Sequence, residues 1–201
     1  MKTKIFFPLL LALLISFNLV YSQEYPNGKN EIRLGYGILT GPEMANSLMS
    51  IWPAIGMEIF KDTIKDYTCS FYGTPFFEYH RFLKPWVSVG GSLSFNPIST
   101  AITSTNKHEF TYNYYLISIM PKVTFYYLNK GIVSMYSGLE VGGSLILWKD
   151  RQGCTTLSDQ GFTMAFQVTG FGVRVGKDIG GFMEWGIGFR GVVNFGLSAR
   201  F

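Results

Sequence analysis

The chain has 201 residues and a formal charge of +4, which suits one domain and gives no nucleic-acid signature. Hydrophobic residues make up 47% of it and aromatics 17%, but charged residues only 15%, where soluble domains carry about 25%. So few charges cannot cover a soluble globule of this size, which argues against an ordinary water-facing surface.

The first segment, MKTKIFFPLLLALLISFNLVYSQ, opens with Lys2 and Lys4 and runs apolar from Ile5 to Val20. Val20 and Ser22 are placed for cleavage before Gln23, so residues 1–22 read as a secretory signal peptide and 23–201 as the mature domain. The mature charge is then +4 − 2 = +2, since both lysines leave with the leader. An uncleaved transmembrane anchor is the alternative reading, but the run is short and Pro8, Ser16 and Asn18 interrupt it. No cysteine lies near the cut, which argues against a lipid anchor.

Beyond residue 22 no stretch is long and apolar enough for a membrane helix. What recurs instead is strict alternation. In EIRLGYGIL (31–39), Ile32, Leu34, Tyr36 and Ile38 oppose Arg33, Gly35 and Gly37. Residues 67–82 read as a strand with an irregularity at Pro75, and 85–96 sets Val87, Val89, Leu93 and Phe95 against Ser88, Gly90, Ser92 and Ser94. Residues 114–127 set Ile117, Ile119, Val123 and Phe125 against Ser118, Lys122 and Thr124, and 133–145 set Leu139, Val141 and Leu145 against Glu140, Gly142 and Ser144. Residues 161–176 form a further strand whose pattern slips near Gly170, as at a bulge. In 182–190, Met183, Trp185, Ile187 and Phe189 oppose Glu184 and Arg190; in the closing NFGLSARF, Phe195, Leu197, Ala199 and Phe201 oppose Ser198 and Arg200. This is the period-2 signature of strands with one apolar face.

Eight such strands alternate between short connections (83–85, 128–131, 177–181) and longer ones (40–66, 97–108, 150–160), with a short exception near Arg190–Val192. An apolar surface without apolar helices has one well-known solution, a barrel closed in lipid. A lipocalin-like soluble binder is the rival. It would point its large apolar side chains inward, whereas the second face here is Gly, Ser, Thr and charges. Tyr115, Tyr127, Trp185 and Phe201 fit an interfacial aromatic girdle.

On the leader, the alternation and the ending, the chain resembles the small eight-stranded outer-membrane β-barrel proteins of Gram-negative bacteria. The resemblance covers the whole mature chain. It implies an all-β, antiparallel, up-and-down transmembrane barrel, located in the outer membrane and in contact with its lipid and lipopolysaccharide. It also implies a last strand read by the barrel-assembly machinery, with Phe195, Leu197, Ala199 and Phe201 as the assembly signal. On activity it implies nothing, since such barrels serve many ends.

Parity places Arg33, Glu78, His80, Lys122, Glu140, Arg174, Glu184, Arg190 and Arg200 inside the barrel, as a charge network that must pair or meet water. Arg174 and Glu184, flanking the turn at 177–181, are expected to form a salt bridge. An outer-leaflet lipid-modifying enzyme is the alternative function. Its candidate groups are Glu78 with His80 on one face, or His108 beside Glu109 and near Ser104 in an outer loop. No metal spacing, phosphate loop, nucleophile motif or cofactor motif appears. The main reading is therefore a non-enzymatic barrel with a structural or surface-interaction role.

The first outer loop, 40–66, is expected to be partly helical. Gly41 and Pro42 suit a helix start and Glu43 its first turn; Met44, Leu48, Ile51, Ile55 and Ile59 follow a helical spacing that Pro53 and Gly56 break. With Trp52, its apolar face could cap the barrel, lie in the leaflet or bind a surface partner. Cys69 and Cys154 lie on the outer side, where a disulfide and two separate thiols are both open readings.

Overall fold

The computed structural model describes residues 29–45, 64–104, 109–152 and 155–201. The alternating stretches become strands: β1 (Asn30–Ile38), β2 (Ile64–Phe71), β3 (Thr74–Lys84), β4 (Val87–Ser104), β5 (Glu109–Lys130), β6 (Val133–Gln152), β7 (Thr155–Gly176), β8 (Ile179–Gly188) and β9 (Val193–Arg200). β2 and β3 are two parts of one stave: both pair with β4, and the chain breaks between them at Tyr72–Gly73, where Gly73 has φ 67°. The eight staves run β1–β3–β4–β5–β6–β7–β8–β9 and close on β1, every neighbour antiparallel. At the closing seam Leu34 faces Leu197, and Asn30 and Phe201 exchange backbone hydrogen bonds of 3.0 Å each way. The fold is an all-β, closed, eight-stranded up-and-down barrel.

The two faces separate as the alternation predicts. Leu34, Leu93, Ile119, Ile187 and Leu197 stand exposed on the outer wall, while the opposite parity is buried. Among the described residues, bulges on β7 and β5 adjust that parity. One falls between Thr169 and Phe171 of β7, at the slip expected near Gly170, and Ser137 on β6 secures it by donating to the Gly170 carbonyl at 2.7 Å. The extra residue lets both Thr169 and Arg174 point inward. The other lies between Tyr126 and Leu128 of β5.

The two ends of the barrel differ. At one end, residues 85–86, 131–132 and 177–178 make two-residue turns. The connection read as 177–181 is thus shorter than expected, because β8 already begins at Ile179. At the other end, the mouth, 97–108 and 150–160 are mostly strand rather than loop. β4 and β5 pair out to Thr103 opposite Glu109, and β6 and β7 to Gln152 opposite Thr155. β5 and β7 have 22 residues each and β1 only 9. At about 3.3 Å per residue the long strands reach roughly twice the height of β1. β8 stops pairing with β7 at Gln167, so β2 and the far parts of β4–β7 continue past the mouth as an open sheet. Alternation did not reveal this extension, because PISTAITS (97–104) and TTLSDQ (155–160) hold too few large apolar residues to mark a period.

Candidate functional site

Every charge that parity sends inward arrives there. Arg33, Glu78, His80, Lys122, Glu140, Arg174, Glu184, Arg190 and Arg200 all project into the lumen and are buried. Glu31 joins them, fully buried; the sequence reading began its apolar face at Ile32 and passed over it, although it shares parity with Arg33. Five cations therefore face four carboxylates, not three.

Two connected clusters form. Nearer the turns, Glu31 accepts from Arg33 Nε at 2.6 Å and from Arg200 Nε at 2.7 Å, with Arg174 Nε 3.6 Å away. Arg200 also reaches Ser134 Oγ at 3.1 Å. Mid-barrel, Glu184 Oε1 accepts from Arg33 Nη1 at 2.9 Å and from the Tyr136 hydroxyl at 3.0 Å, and its Oε2 from Arg190 Nη2 at 2.7 Å. Lys122 Nζ sits 2.8 Å from Glu78, 3.2 Å from Glu140 and 3.4 Å from Glu184. Arg190 also pairs with Glu78 and, at 2.8 Å, with Glu140. Arg33 bridges the two clusters.

The expected salt bridge between Arg174 and Glu184 is not made. In the β7–β8 register Arg174 faces Phe182, and Glu184 faces Gly172. The register differs by one inward position from the one assumed, because β8 starts earlier than its apolar pattern suggested. Arg174 instead donates to Ser198 Oγ at 2.6 Å and to the carbonyls of Gly176, Lys177 and Asp178, tying down the turn.

Aromatic rings fill the space between the charges, a feature the sequence reading did not anticipate. Phe76, Phe82, Tyr126, Tyr136 and Phe182 are all buried inside. The Arg33 guanidinium lies 4.5 Å from the Tyr136 ring centroid, and Arg190 lies 4.5 Å from that of Phe76, a geometry in which the ring face attracts the cation. Gly35 and Gly172 make the room: a Cβ at Gly172 would lie 2.5 Å from the Tyr136 ring. The interior signal was present in the parity of Phe76 and Phe82 with Glu78 and His80, and was hidden because rings on the outer wall look the same in sequence.

His80 lies between Glu78 Oε2, 2.7 Å from Nε2, and Ser88 Oγ, 3.4 Å from Nδ1. Hydroxyl, imidazole and carboxylate are the groups of a nucleophile triad. Ser88, His80 and Glu78 are each fully buried, however, so no substrate reaches the hydroxyl. The group acts as a hydrogen-bonded strut between β3 and β4.

At the mouth two short segments fold inward. Thr40 Oγ1 accepts from the Glu43 N–H at 3.3 Å, and Glu43 Oε2 accepts from the Thr40 N–H at 2.8 Å. This reciprocal pair is a capping box, and it opens a short helix over 41–45 where the sequence placed a helix start. Asn96 on β4 holds it in place by donating to Thr40 Oγ1 at 2.8 Å. The link 189–192 is drawn in by Gln167, which accepts from the Arg190 N–H at 3.0 Å and donates to the Gly191 carbonyl at 2.9 Å. Gly191 has φ 130°, and a Cβ there would meet the Ile38 carbonyl oxygen at 2.4 Å, so only glycine fits.

The other sequence candidates fall elsewhere. Residues 1–28, 46–63, His108 and Cys154 lie outside the described residues, and with them the leader, most of the first outer loop and the disulfide question. Cys69 is in β2, opposite Thr100 of β4, and Glu109 opens β5 opposite Thr103. Phe195, Leu197 and Phe201 are exposed on the outer wall, and Ala199 lies half-buried on the same face. Among the described residues no group of His, Cys, Asp and Glu is arranged to hold a metal ion. No protein-family model matches the chain, and no curated protein is similar to it.

Proposed function

We propose that this chain is an integral outer-membrane β-barrel protein whose barrel is a structural stem. The role is interaction at the cell surface rather than catalysis or conduction. What supports the reading is the inverted distribution of its residues. Five cations and four carboxylates are buried, while Leu34, Leu93, Ile119, Phe162, Ile187 and Leu197 are 48–75% exposed. In water that arrangement would forfeit the burial of the apolar wall, worth about 25 cal/mol per Å². In lipid the apolar wall forfeits nothing, and the closed ring of paired strands leaves the barrel no open edge. A soluble lipocalin-like binder would show the reverse arrangement.

The packed lumen argues for a stem over a pore. An eight-stranded barrel is just wide enough for side chains to fill, and here they do. The extension of β2 and β4–β7 past the mouth then serves as the platform for surface contacts. The first outer loop, anchored through Thr40, Glu43 and Asn96, starts beside it.

Extraction tests the reading. Membranes from cells making the full chain are washed with alkaline carbonate, and the retained protein is run on gels with and without boiling. Retention with heat-modifiable mobility is the expected result. Release by the wash would replace the membrane barrel with a soluble one. An altered lipid profile that returns to normal in a His108→Ala strain would replace the stem with a lipid-modifying enzyme.

A further inference from the structure

Four junctions occur around the turn end: the β1–β9 seam and the turns at 85–86, 131–132 and 177–178. Each carries an exposed cation, namely Lys29 at the seam, Lys84 with Arg81 at the first turn, Lys130 at the second and Lys177 at the third. Because every junction serves two neighbouring staves, the cations are spread around the whole rim. Among the described residues at this end the exposed acidic side chain is Asp178, giving five cationic side chains to one acidic side chain.

The same four junctions each expose a large apolar side chain next to the cation. Phe201 (61% exposed) accompanies Lys29, Leu83 (55%) accompanies Lys84, Ile132 (58%) accompanies Lys130, and Ile179 (76%) accompanies Lys177. Trp86 adds an indole at the first turn, 5.7 Å from Lys84 Nζ. A water-facing rim has no reason to repeat an exposed apolar residue beside a cation at every junction. A boundary with acyl chains on one side and phosphates on the other calls for that pair, since the apolar group enters the hydrocarbon while the long cationic side chain reaches the headgroups.

We infer that the turn end is a cationic collar that selects anionic phospholipids, engaging their headgroup phosphates in the leaflet on that side. The inference deepens the membrane reading above and rests on it. The collar favours the orientation that sets the turn end against the leaflet richer in anionic phospholipid. It also enriches anionic lipid around the stem, by up to about fivefold for each cation near an anionic surface.

Trp86 reports on this directly. Trp52→Phe, Trp148→Phe and Trp185→Phe leave it as the single indole of the full chain. That protein is folded into phosphatidylcholine vesicles containing a minor share of phosphatidylglycerol, with bromine on the acyl chains of one lipid or the other. At low salt, brominated phosphatidylglycerol is expected to quench Trp86 about fivefold more per molecule than brominated phosphatidylcholine. The difference should vanish near 1 M salt, where screening acts within about 3 Å. It should also vanish at low salt when Lys29, Arg81, Lys84, Lys130 and Lys177 are all changed to Gln, with boiled and unboiled gel mobility confirming that the variant folds. If it does not fold, the salt series on the parent decides. Equal quenching by the two lipids at low salt would overturn the collar and leave the membrane barrel standing. No quenching by either lipid would overturn the membrane reading itself.

Discussion

Replacing Glu184 by glutamine changes one charge and almost no volume, so it isolates the electrostatics of the lumen. Glu184 accepts from Arg33 at 2.9 Å, from Arg190 at 2.7 Å and from Tyr136 at 3.0 Å, and lies 3.4 Å from Lys122. Three cations thus share it, and its loss turns five against four into five against three. Removing one partner of a buried pair costs about 3–5 kcal/mol, because the remaining charges stay buried without compensation. Taking about 4 kcal/mol and a urea slope of about 2 kcal/mol/M, the unfolding midpoint in lipid vesicles should fall by about 2 M. Arg190→Gln should cost less, since it leaves four cations against four carboxylates. The double variant should be more stable than the two single losses added together, with a coupling of about 2 kcal/mol. The assay is equilibrium urea unfolding followed by tryptophan fluorescence, checked by gel mobility. A drop below about 0.5 M for Glu184→Gln, or strict additivity in the double variant, would refute the network as a mutually dependent unit.

Three other outcomes follow from the same geometry. Leu197→Lys puts a charge on the apolar outer wall opposite Leu34 and should cost about 2–4 kcal/mol in lipid. Ser198→Asp, one residue on, replaces the hydroxyl that accepts from Arg174 Nε at 2.6 Å and should cost far less, so equal penalties in urea titrations would mean the faces are misassigned. Gly191→Ala forces a Cβ against the Ile38 carbonyl at φ 130° and should lower stability by about 1–3 kcal/mol, whereas unchanged stability would show that the 189–192 link can re-form. Joining Lys149 to Ser158 through an Asn-Gly turn, in place of 150–157, should leave heat-modifiable mobility intact. The ion pairs of the lumen use none of those residues; loss of folding would show that the extension is part of the barrel's own stability.

Parity alone carried most of the fold. A strand with an apolar outer face and a face packed into a polar lumen must alternate, so Leu34, Leu93, Ile119 and Leu197 could be sent outward and Arg33, Glu78, Lys122 and Glu184 inward from the sequence. The bulge at Gly170 was legible for the same reason, since a slip in period is itself a local signal. Three features needed the tertiary structure. The first is the pairing of the interior charges: register, set by where each hairpin turns, decides which inward residue meets which, and β8 beginning at Ile179 moved Arg174 away from Glu184. The second is the set of rings inside the lumen: Phe76 and Phe182 share the parity of Glu78 and Glu184, but only the packing shows the room that glycines such as Gly35 leave for them. The third is the extension past the mouth. PISTAITS (97–104) and TTLSDQ (155–160) hold too few large apolar residues to show a period, so only backbone pairing marks them as strand.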